Sequence, residues 1–207
     1  SQIQPHFLYN ILGSIEWLCE TNPQKAQEAT DELARFLRGN MDSLQSTRVI
    51  PASRELEHVR CYLNLERIRF GAHLRVEYAI ETSDFFLPAL SLQPLVENAI
   101  YHGMEYMDGD GEIFVRAWQE EKELYLEVRD NGLGMTEEQV ESLFTDTAHV
   151  ASKRGSGIGV RNVNERIKLY FGAEYGLSIE SEPDEGTAVK IHLPAVPYEK
   201  VLEEKKV

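Results

Sequence analysis

The chain has 207 residues, of which 42% are hydrophobic, enough for one large domain or two small ones with packed cores. Its 35 Asp and Glu residues outnumber its 21 Lys and Arg residues, which gives a formal net charge of −14. A chain this acidic would repel a phosphate backbone, so we expect no nucleic-acid partner.

The first half begins with two predicted helices joined by a short turn. Apolar residues recur at helical spacing in both, at Ile3, Phe7, Leu8, Ile11, Ile15 and Leu18 and then at Ala26, Ala29, Leu33, Phe36, Leu37 and Met41. Asn22 before Pro23 predicts the turn, as a helix cap followed by proline at the first helical position. A hairpin this small cannot bury both stripes alone, so we expect it to pair with a second copy in a four-helix bundle.

A third predicted helix and a strand come next. Pro51 opens the helix, Ser53 is a candidate cap and Gly71 ends it. The apolar residues of its expected inner face are Leu56, Val59, Leu63 and Ile68. Residues 74–80 alternate between apolar and polar side chains, which predicts a strand.

The stretch from Leu92 to Gly103 predicts a helix with polar side chains beside an apolar stripe. Glu97, Asn98 and His102 lie off the stripe, and the four-residue spacing of Asn98 and His102 places them on the same side of the helix. A carboxylate, an amide and an imidazole in this arrangement could build a metal and phosphate site. The same pattern also fits an ordinary amphipathic helix.

The remaining elements complete an α+β pattern. Residues 112–118 and 123–129 predict a hairpin, and Thr136 caps a short helix to Phe144, with Glu138 close to capping-box spacing. Residues 161–171 predict a helix, and residues 177–182 and 188–193 predict two strands. We expect a mixed, mainly antiparallel sheet with helices on one face. The change of pattern divides the chain into a helical region, residues 1–72, and a mixed domain, residues 73–207.

Two glycine loops flank a polar segment of the mixed domain. Asp130–Met135 (DNGLGM) follows a strand, and Gly155–Gly159 (GSGIG) precedes a helix. Glycines let the backbone approach a ligand closely, and a helix N-terminus presents free N–H groups to phosphate. Either loop alone is also compatible with an ordinary turn. Their spacings fit neither a P-loop nor a dinucleotide fingerprint, and the Ser/Thr/Tyr kinase motifs are absent from the sequence.

The order of these motifs resembles the N, G1 and G2 boxes of the GHKL ATPase superfamily, whose ATPase domain is the Bergerat-type α/β sandwich. Gly186-Thr187 resembles the last glycine box of that superfamily. At the N-terminus, residues 2–10 (QIQPHFLYN) resemble the phosphoacceptor box of LytS/YesM-type sensor histidine kinases, and residues 62–70 (YLNLERIRF) also fit that family. Gln4 departs from the family's usual Asn, which affects only local helix contacts.

The resemblance implies roles for the polar residues of the acceptor helix and the N box. His6 matches the phosphoacceptor, and Asn10, one turn later, could orient its ring. Asn98 matches the Mg²⁺ ligand, and Glu97 matches the acidic residue that holds a metal-bound water or assists proton removal. His102 matches the position that meets the phosphates.

The resemblance also implies a nucleotide pocket. Asp130 matches the carboxylate that accepts the adenine amino group, and Thr187 would support it directly or through water. The glycine-box residues that would shape the adenine pocket or wrap the triphosphate are Gly132, Gly134, Gly155, Gly157, Ile158 and Gly159. The other positions expected near the phosphates or at a mobile lid over residues 145–154 are Phe144, Lys153, Arg154, Arg161 and Asn162, each of which is also compatible with plain packing or a solvated surface.

The resemblance therefore implies the cytoplasmic core of a bacterial membrane sensor histidine kinase, with a membrane-spanning sensor upstream. We expect Mg-ATP-dependent phosphorylation of His6, a homodimer, and phosphoryl transfer to an aspartate of a response-regulator receiver domain. Two alternatives stay open. A catalytically degenerate ATP-binding dimeric scaffold would lack the intact Glu97, Asn98 and Asp130, and another GHKL ATPase, such as a gyrase-like clamp, would lack the acceptor box around His6.

Overall fold

The computed structural model describes residues 5–45, 49–104, 109–144 and 156–195. Within these ranges the helices are α1 (Pro5–Thr21), α2 (Pro23–Gln45), α3 (Ala52–Phe70), α4 (Gln93–Met104), α5 (Glu137–Phe144) and α6 (Ser156–Phe171). The strands are β1 (Val49–Pro51), β2 (Leu74–Ile80), β3 (Phe86–Pro88), β4 (Gly111–Glu120), β5 (Glu123–Asp130), β6 (Gly176–Glu182) and β7 (Gly186–Pro194). None of the helices in these ranges is both long and apolar enough to cross a membrane.

Five strands form one mixed sheet in the order β2-β4-β5-β7-β6. β2 is parallel to β4, and every other neighbouring pair in this sheet is antiparallel. Alternate side chains such as Val115, Leu126 and Ile191 are buried beneath α4 and α6, because successive residues of a strand point to opposite faces. The expected α+β class and mainly antiparallel sheet are confirmed.

The helices α1, α2 and α3 pack against one another. The predicted break between α1 and α2 is confirmed, and Asn22 caps α2 because its Oδ1 accepts a hydrogen bond from the Lys25 N–H at 3.1 Å. Phe7, Ile11 and Phe36 are buried in a core that also contains residues of α3. Helix α3 of the same chain thus covers most of the apolar stripe, while Met41 at its end stays 61% exposed.

The helical unit and the sheet share one hydrophobic core. Leu63 of α3, Leu95 of α4 and Leu126 of β5 all belong to this cluster of buried side chains. The 3-10 turn Gly71–His73 is the only residue range between α3 and β2, and Gly71 ends α3 with φ 62° as predicted. The α1–α2 hairpin therefore packs on a helix that continues directly into the edge strand of the sheet.

Several local predictions were wrong. The short β1 and β3 strands pair antiparallel and were not predicted. Ser53 does not cap α3. The capping box of α5 uses Gln139 in place of Glu138. The Thr136 N–H donates to Gln139 Oε1 at 2.8 Å, and the Gln139 N–H donates to Thr136 Oγ1 at 3.3 Å. The helix expected from residue 161 begins at Ser156, so the described part of the second glycine loop is helical.

Candidate functional site

His6 lies exposed in the first turn of α1, while the adjacent Phe7 is buried. This arrangement follows from helical geometry, because successive side chains are about 100° apart around the axis. The Asn10 amide, one turn later, lies 3.3 Å from both ring nitrogens of His6 and can donate to whichever is unprotonated. The structure therefore brings the two residues predicted for the acceptor site together at the surface of α1.

Tyr62, the first residue of the 62–70 motif on α3, packs directly beneath the turn that carries His6. The Tyr62 ring lies 5.0 Å from the Phe7 ring, measured between centroids. Arg69 Nη1 donates to the buried carboxylate of Glu66 at 3.3 Å. Burial raises the pKa of Tyr62 well above its ordinary value, and the neighbouring carboxylates of Glu66 and Glu97 add to that shift. Tyr62 therefore packs against the residue next to His6, and its pKa responds to the charge of Glu97 on α4.

Helix α4 carries Glu97, Asn98 and His102, all of them half-buried. Burial raises the pKa of Glu97, and a hydrogen bond from Gln93 Nε2 to Glu97 Oε1 at 2.6 Å opposes the shift. Burial lowers the pKa of His102, which favours its neutral ring. Within the described part of the chain the Asn98 carboxamide has no hydrogen-bond partner, so its oxygen is available to a ligand. An amide oxygen is the kind of ligand that Mg²⁺ prefers.

The backbone before α4 is fixed by two charged side chains that were not predicted from the sequence. Glu55 of α3 accepts hydrogen bonds from the N–H groups of Leu90, Ser91 and Leu92 at 2.6, 3.1 and 3.0 Å. Arg166 of α6 donates to the carbonyl oxygens of Ala89 and Leu90, both at 2.8 Å. These contacts set where the helix that carries Glu97 and Asn98 begins.

Asp130 ends β5 as a buried carboxylate, and Thr187 of β7 is its cross-strand neighbour. Burial raises the Asp130 pKa to about 6, while N–H groups of Gly132 and Thr187 donate to the carboxylate and lower it. The Gly132 contact is 2.9 Å long. The Thr187 N–H group therefore favours the ionised Asp130 carboxylate, and the role expected of Thr187 in a nucleotide site stays a prediction. A carboxylate has about four acceptor positions, so Asp130 retains capacity for the amino group of a purine.

The hydroxyl of Ser181 ties the first glycine loop to the β6–β7 turn. It accepts from the Met135 N–H at 2.8 Å and donates to the Gly186 carbonyl at 2.9 Å. Because that bond uses its only hydrogen, the Thr187 hydroxyl is the donor in the 2.8 Å contact between Thr187 and Ser181. The Thr187 side chain thus fixes the position of the Ser181 hydroxyl by a hydrogen bond. No pattern in the sequence indicated Ser181, since its partners are 46 residues away and in the following turn.

Gly134 is required by packing within the protein. Its φ is 62°, and a Cβ at this position would lie 1.8 Å from the carbonyl oxygen of Glu182. Gly186 meets a similar limit, because its φ is 96° and a Cβ there would lie only 2.1 Å from the Asp130 carbonyl oxygen. These two glycines allow the loop after β5 and the β6–β7 turn to approach each other closely.

The phosphate side of the predicted site is only partly described. Lys153, Arg154 and Gly155 lie outside the described residues, and only the backbone of Gly157 and Ile158 is described, in the first turn of α6. Gly159 lies against the start of α4, since a Cβ there would be 3.4 Å from Pro94. Arg161 is half-buried and Asn162 is exposed, while Phe144 packs against the core at the end of α5. The N-terminal turns of α4 and α6 are therefore neighbours.

Gln93 and His58 are further site residues that were not predicted from the sequence. His58 Nε2 lies 2.7 Å from Gln93 Oε1, and the Gln93 amide in turn donates to Glu97. The four-residue spacing of Gln93 and Glu97 was available as a signal, because such residues are neighbours on a helix. Nothing in the sequence pairs His58 with Gln93, which follows it by 35 residues.

Two protein-family models match the chain, one after the other. Residues 1–74 match the family model described as histidine kinase, and residues 88–197 match that of the histidine kinase-, DNA gyrase B- and HSP90-like ATPases. The Bacillus subtilis protein YwpD is 40% identical over 93% of this chain and 68% of its own length. The sensor protein LytS of Bacillus anthracis is 37% identical over 100% of this chain and 34% of its own length.

A solved structure shares the fold. The catalytic domain of histidine kinase ThkA superposes with a TM-score of 0.55 at 19% identity, covering 73% of this chain and 100% of that domain. The chain spans about two thirds of YwpD and one third of LytS. The chain thus matches a histidine kinase region first and an ATPase domain after it. The chain belongs to the LytS/YesM-type sensor histidine kinases.

Proposed function

We propose that this chain binds Mg-ATP and transfers the γ-phosphoryl group to His6, from which an aspartate of a response regulator takes it. The observation that carries the proposal is the exposed His6 ring, placed one turn from Asn10 on a helix whose next residue packs against α3. A phosphoacceptor has to reach both a nucleotide and a receiver domain, which a buried histidine could not do.

The proposed reaction is an in-line displacement at phosphorus. A ring nitrogen of His6 attacks the γ-phosphorus, the bond from that phosphorus to the β,γ-bridging oxygen breaks, and ADP leaves with the electron pair. The other ring nitrogen gives up its proton, and Glu97, directly or through a water, is the proposed acceptor because burial raises its pKa. Mg²⁺ held by Asn98 would neutralise charge on the phosphates. Asp130 would accept the adenine amino group, and the glycines of the second loop would surround the phosphates.

The proposed partners follow from the surface of the hairpin and from the family. Three large apolar side chains of α1 remain exposed although α3 covers the inner stripe: Tyr9 at 75%, Leu12 at 52% and Trp17 at 64%. Exposed aromatic and aliphatic side chains on a helix commonly mark an interface. We assign this outer face to a homodimer, and we place the chain on the cytoplasmic side of a bacterial membrane, as the kinase part of a longer sensor like LytS.

The experiment is labelling with γ-³²P-ATP and Mg²⁺, comparing the parent with His6→Gln, Asn98→Ala and His73→Gln. His73 is a matched control because it is an exposed histidine on a different surface, beside Asp110. We expect acid-labile label in the parent and in His73→Gln, and none in the other two variants. ATP binding without label in the parent would overturn the kinase proposal in favour of an ATP-binding scaffold.

A further inference from the structure

A continuous set of contacts joins the acceptor hairpin, which consists of α1 and α2, to Glu97. It begins with Phe36 of α2, whose ring is stacked on the His58 ring of α3 with centroids 4.9 Å apart and planes 9° from parallel. His58 contacts Gln93 at 2.7 Å, and Gln93 contacts Glu97 at 2.6 Å. Phe36 also contacts Phe7, the neighbour of His6, at 5.3 Å between ring centroids. Two ring contacts and two hydrogen bonds thus connect Phe7, the neighbour of His6, to the Glu97 carboxylate.

The hydrogen bonds fix the orientation of each group. An ionised carboxylate only accepts hydrogen bonds, so the Gln93 nitrogen faces Glu97 and its oxygen faces His58. His58 Nε2 must then carry the hydrogen, and Nδ1 is the unprotonated nitrogen. His58 is 7% exposed and Gln93 is 1% exposed, so water competes little for the bond between them. A Gln93 that lost His58 could rotate and withdraw its N–H group from Glu97.

Helix α2 holds His58 from a second direction. A Cβ at Gly39 would lie 2.5 Å from His58 Nδ1 and 3.1 Å from Cε1, so the imidazole occupies space that any side chain at position 39 would take. Phe36 and Gly39 are three residues apart and therefore face the ring from one side of α2. The position of the His58 ring consequently depends on where α2 lies against α3.

We infer that His58 and Gln93 are positioning residues that aim the Glu97 carboxylate, and that α2 of the acceptor hairpin controls them through Phe36 and Gly39. The inference rests on the proposed function, in which Glu97 assists phosphoryl transfer. A shift of α2 along α3 would move the His58 ring, release Gln93 and leave the carboxylate without its donor. The hairpin that bears the acceptor would in this way switch the reactivity of the ATPase domain.

The first test uses substitutions that remove each hydrogen bond with little change in volume. Gln93→Met and His58→Phe should lower the rate of His6 labelling at saturating ATP by about tenfold to a hundredfold, as expected when a proton acceptor is misaligned. The KM for ATP and the affinity for a fluorescent ATP analogue should stay within about threefold of the parent, because the contacts that bind nucleotide are retained. His58→Gln, which keeps an N–H donor, should restore most of the rate.

The second test probes control by α2. Gly39→Ala should lower the rate like His58→Phe, although alanine favours a helix more than glycine does. The matched control is Asn64→Ala, which removes the hydrogen bond from Asn64 Nδ2 to Glu32 Oε1, an exposed contact between α3 and α2. This control should label at the parental rate. The double variant His58→Phe/Gln93→Met should be no slower than Gln93→Met, since both changes break one set of contacts.

The outcomes separate this inference from the proposed function. If the parent takes up no label, the proposed function itself is overturned. Label at the parental rate in Gln93→Met and His58→Phe would overturn the inference while leaving the proposed function intact. A raised KM with an unchanged maximal rate, or failure of His58→Gln to restore the rate, would mean that the pair only fills the core.

Discussion

Glu55 and Arg166 hold the same backbone turn. Glu55 accepts hydrogen bonds from its N–H groups, and Arg166 donates hydrogen bonds to its carbonyl oxygens. Leu90, which contacts both, has φ 58°, a left-handed conformation that costs a non-glycine residue about 1 kcal/mol or more. The two side chains come from α3 and α6, on either side of α4 in sequence. They therefore stabilise an unfavourable turn just before α4 begins.

Replacing Glu55 should destabilise the fold. In Glu55→Gln one carboxylate oxygen becomes an NH₂ group, which cannot accept, so at least one of the three N–H groups loses its partner at a cost of about 2 kcal/mol. Urea unfolding of the purified chain measures the change. Glu57→Gln, an exposed substitution on the same helix, is the control and should change little. Equal midpoints for the two variants would mean that Glu55 does not hold this turn.

ATP affinity should fall as the solution becomes more acidic through pH 6. The Asp130 pKa is raised to about 6, and only the ionised carboxylate fully accepts from the adenine amino group. Binding should therefore be about tenfold weaker at pH 5 than at pH 7.5. Calorimetric titration in a His102→Gln background removes the imidazole, and comparison with Asp130→Asn in that background separates Asp130 from Glu97, whose pKa is also raised. In Asp130→Asn the affinity should be low and should change less with pH than in the parent, and an equally steep slope there would assign the titration to another residue.

Alanine should be poorly tolerated at Gly134 and well tolerated at Gly13. Gly134→Ala places a Cβ 1.8 Å from the Glu182 carbonyl at a positive φ, and we expect a loss of at least about 2 kcal/mol of unfolding free energy. Gly13 lies inside α1, where a Cβ would have no contact within 4 Å, so Gly13→Ala should add up to about 1 kcal/mol. Thermal unfolding of both variants is the measurement. Similar shifts in melting temperature would contradict the close approach of the two turns.

A charge on the outer face of α1 should weaken self-association. Trp17→Glu introduces a carboxylate among the exposed apolar residues assigned to the homodimer, and we expect its dissociation constant to rise about tenfold or more. Sedimentation equilibrium provides the measurement. Leu169→Glu is the matched control, because Leu169 is an exposed apolar side chain, 82% accessible, on α6. A dimer weakened only by Leu169→Glu would move the interface to the ATPase domain.

The sequence predicted elements that depend on local patterns and missed those that depend on distant partners. The bounds of β2 follow from strict alternation, and the turn at Asn22-Pro23 follows from local capping chemistry. The three-residue strands β1 and β3 have no such pattern, because they exist only through pairing with each other. Tertiary context therefore decided these short elements.

The same distinction separates the site residues that were found from those that were missed. His6, Asp130 and Asn98 are recognisable because they lie in motifs that resemble those of a family. Glu55 would normally be assigned to solvent as a charged residue of a helix, and it is buried because N–H groups 35 to 37 residues away satisfy it. Its role could not be inferred without the fold.

The direct passage from α3 into β2 limits how this protein can be recombined with its relatives. A chimera joined at residue 72 would keep the five-stranded sheet yet replace the helix that supplies Glu55 and His58, so Leu90 and Gln93 would meet foreign partners. A crossover placed before α1 would keep these contacts native. For the design of hybrid sensors, the unit to transplant is therefore the acceptor hairpin together with the ATPase domain.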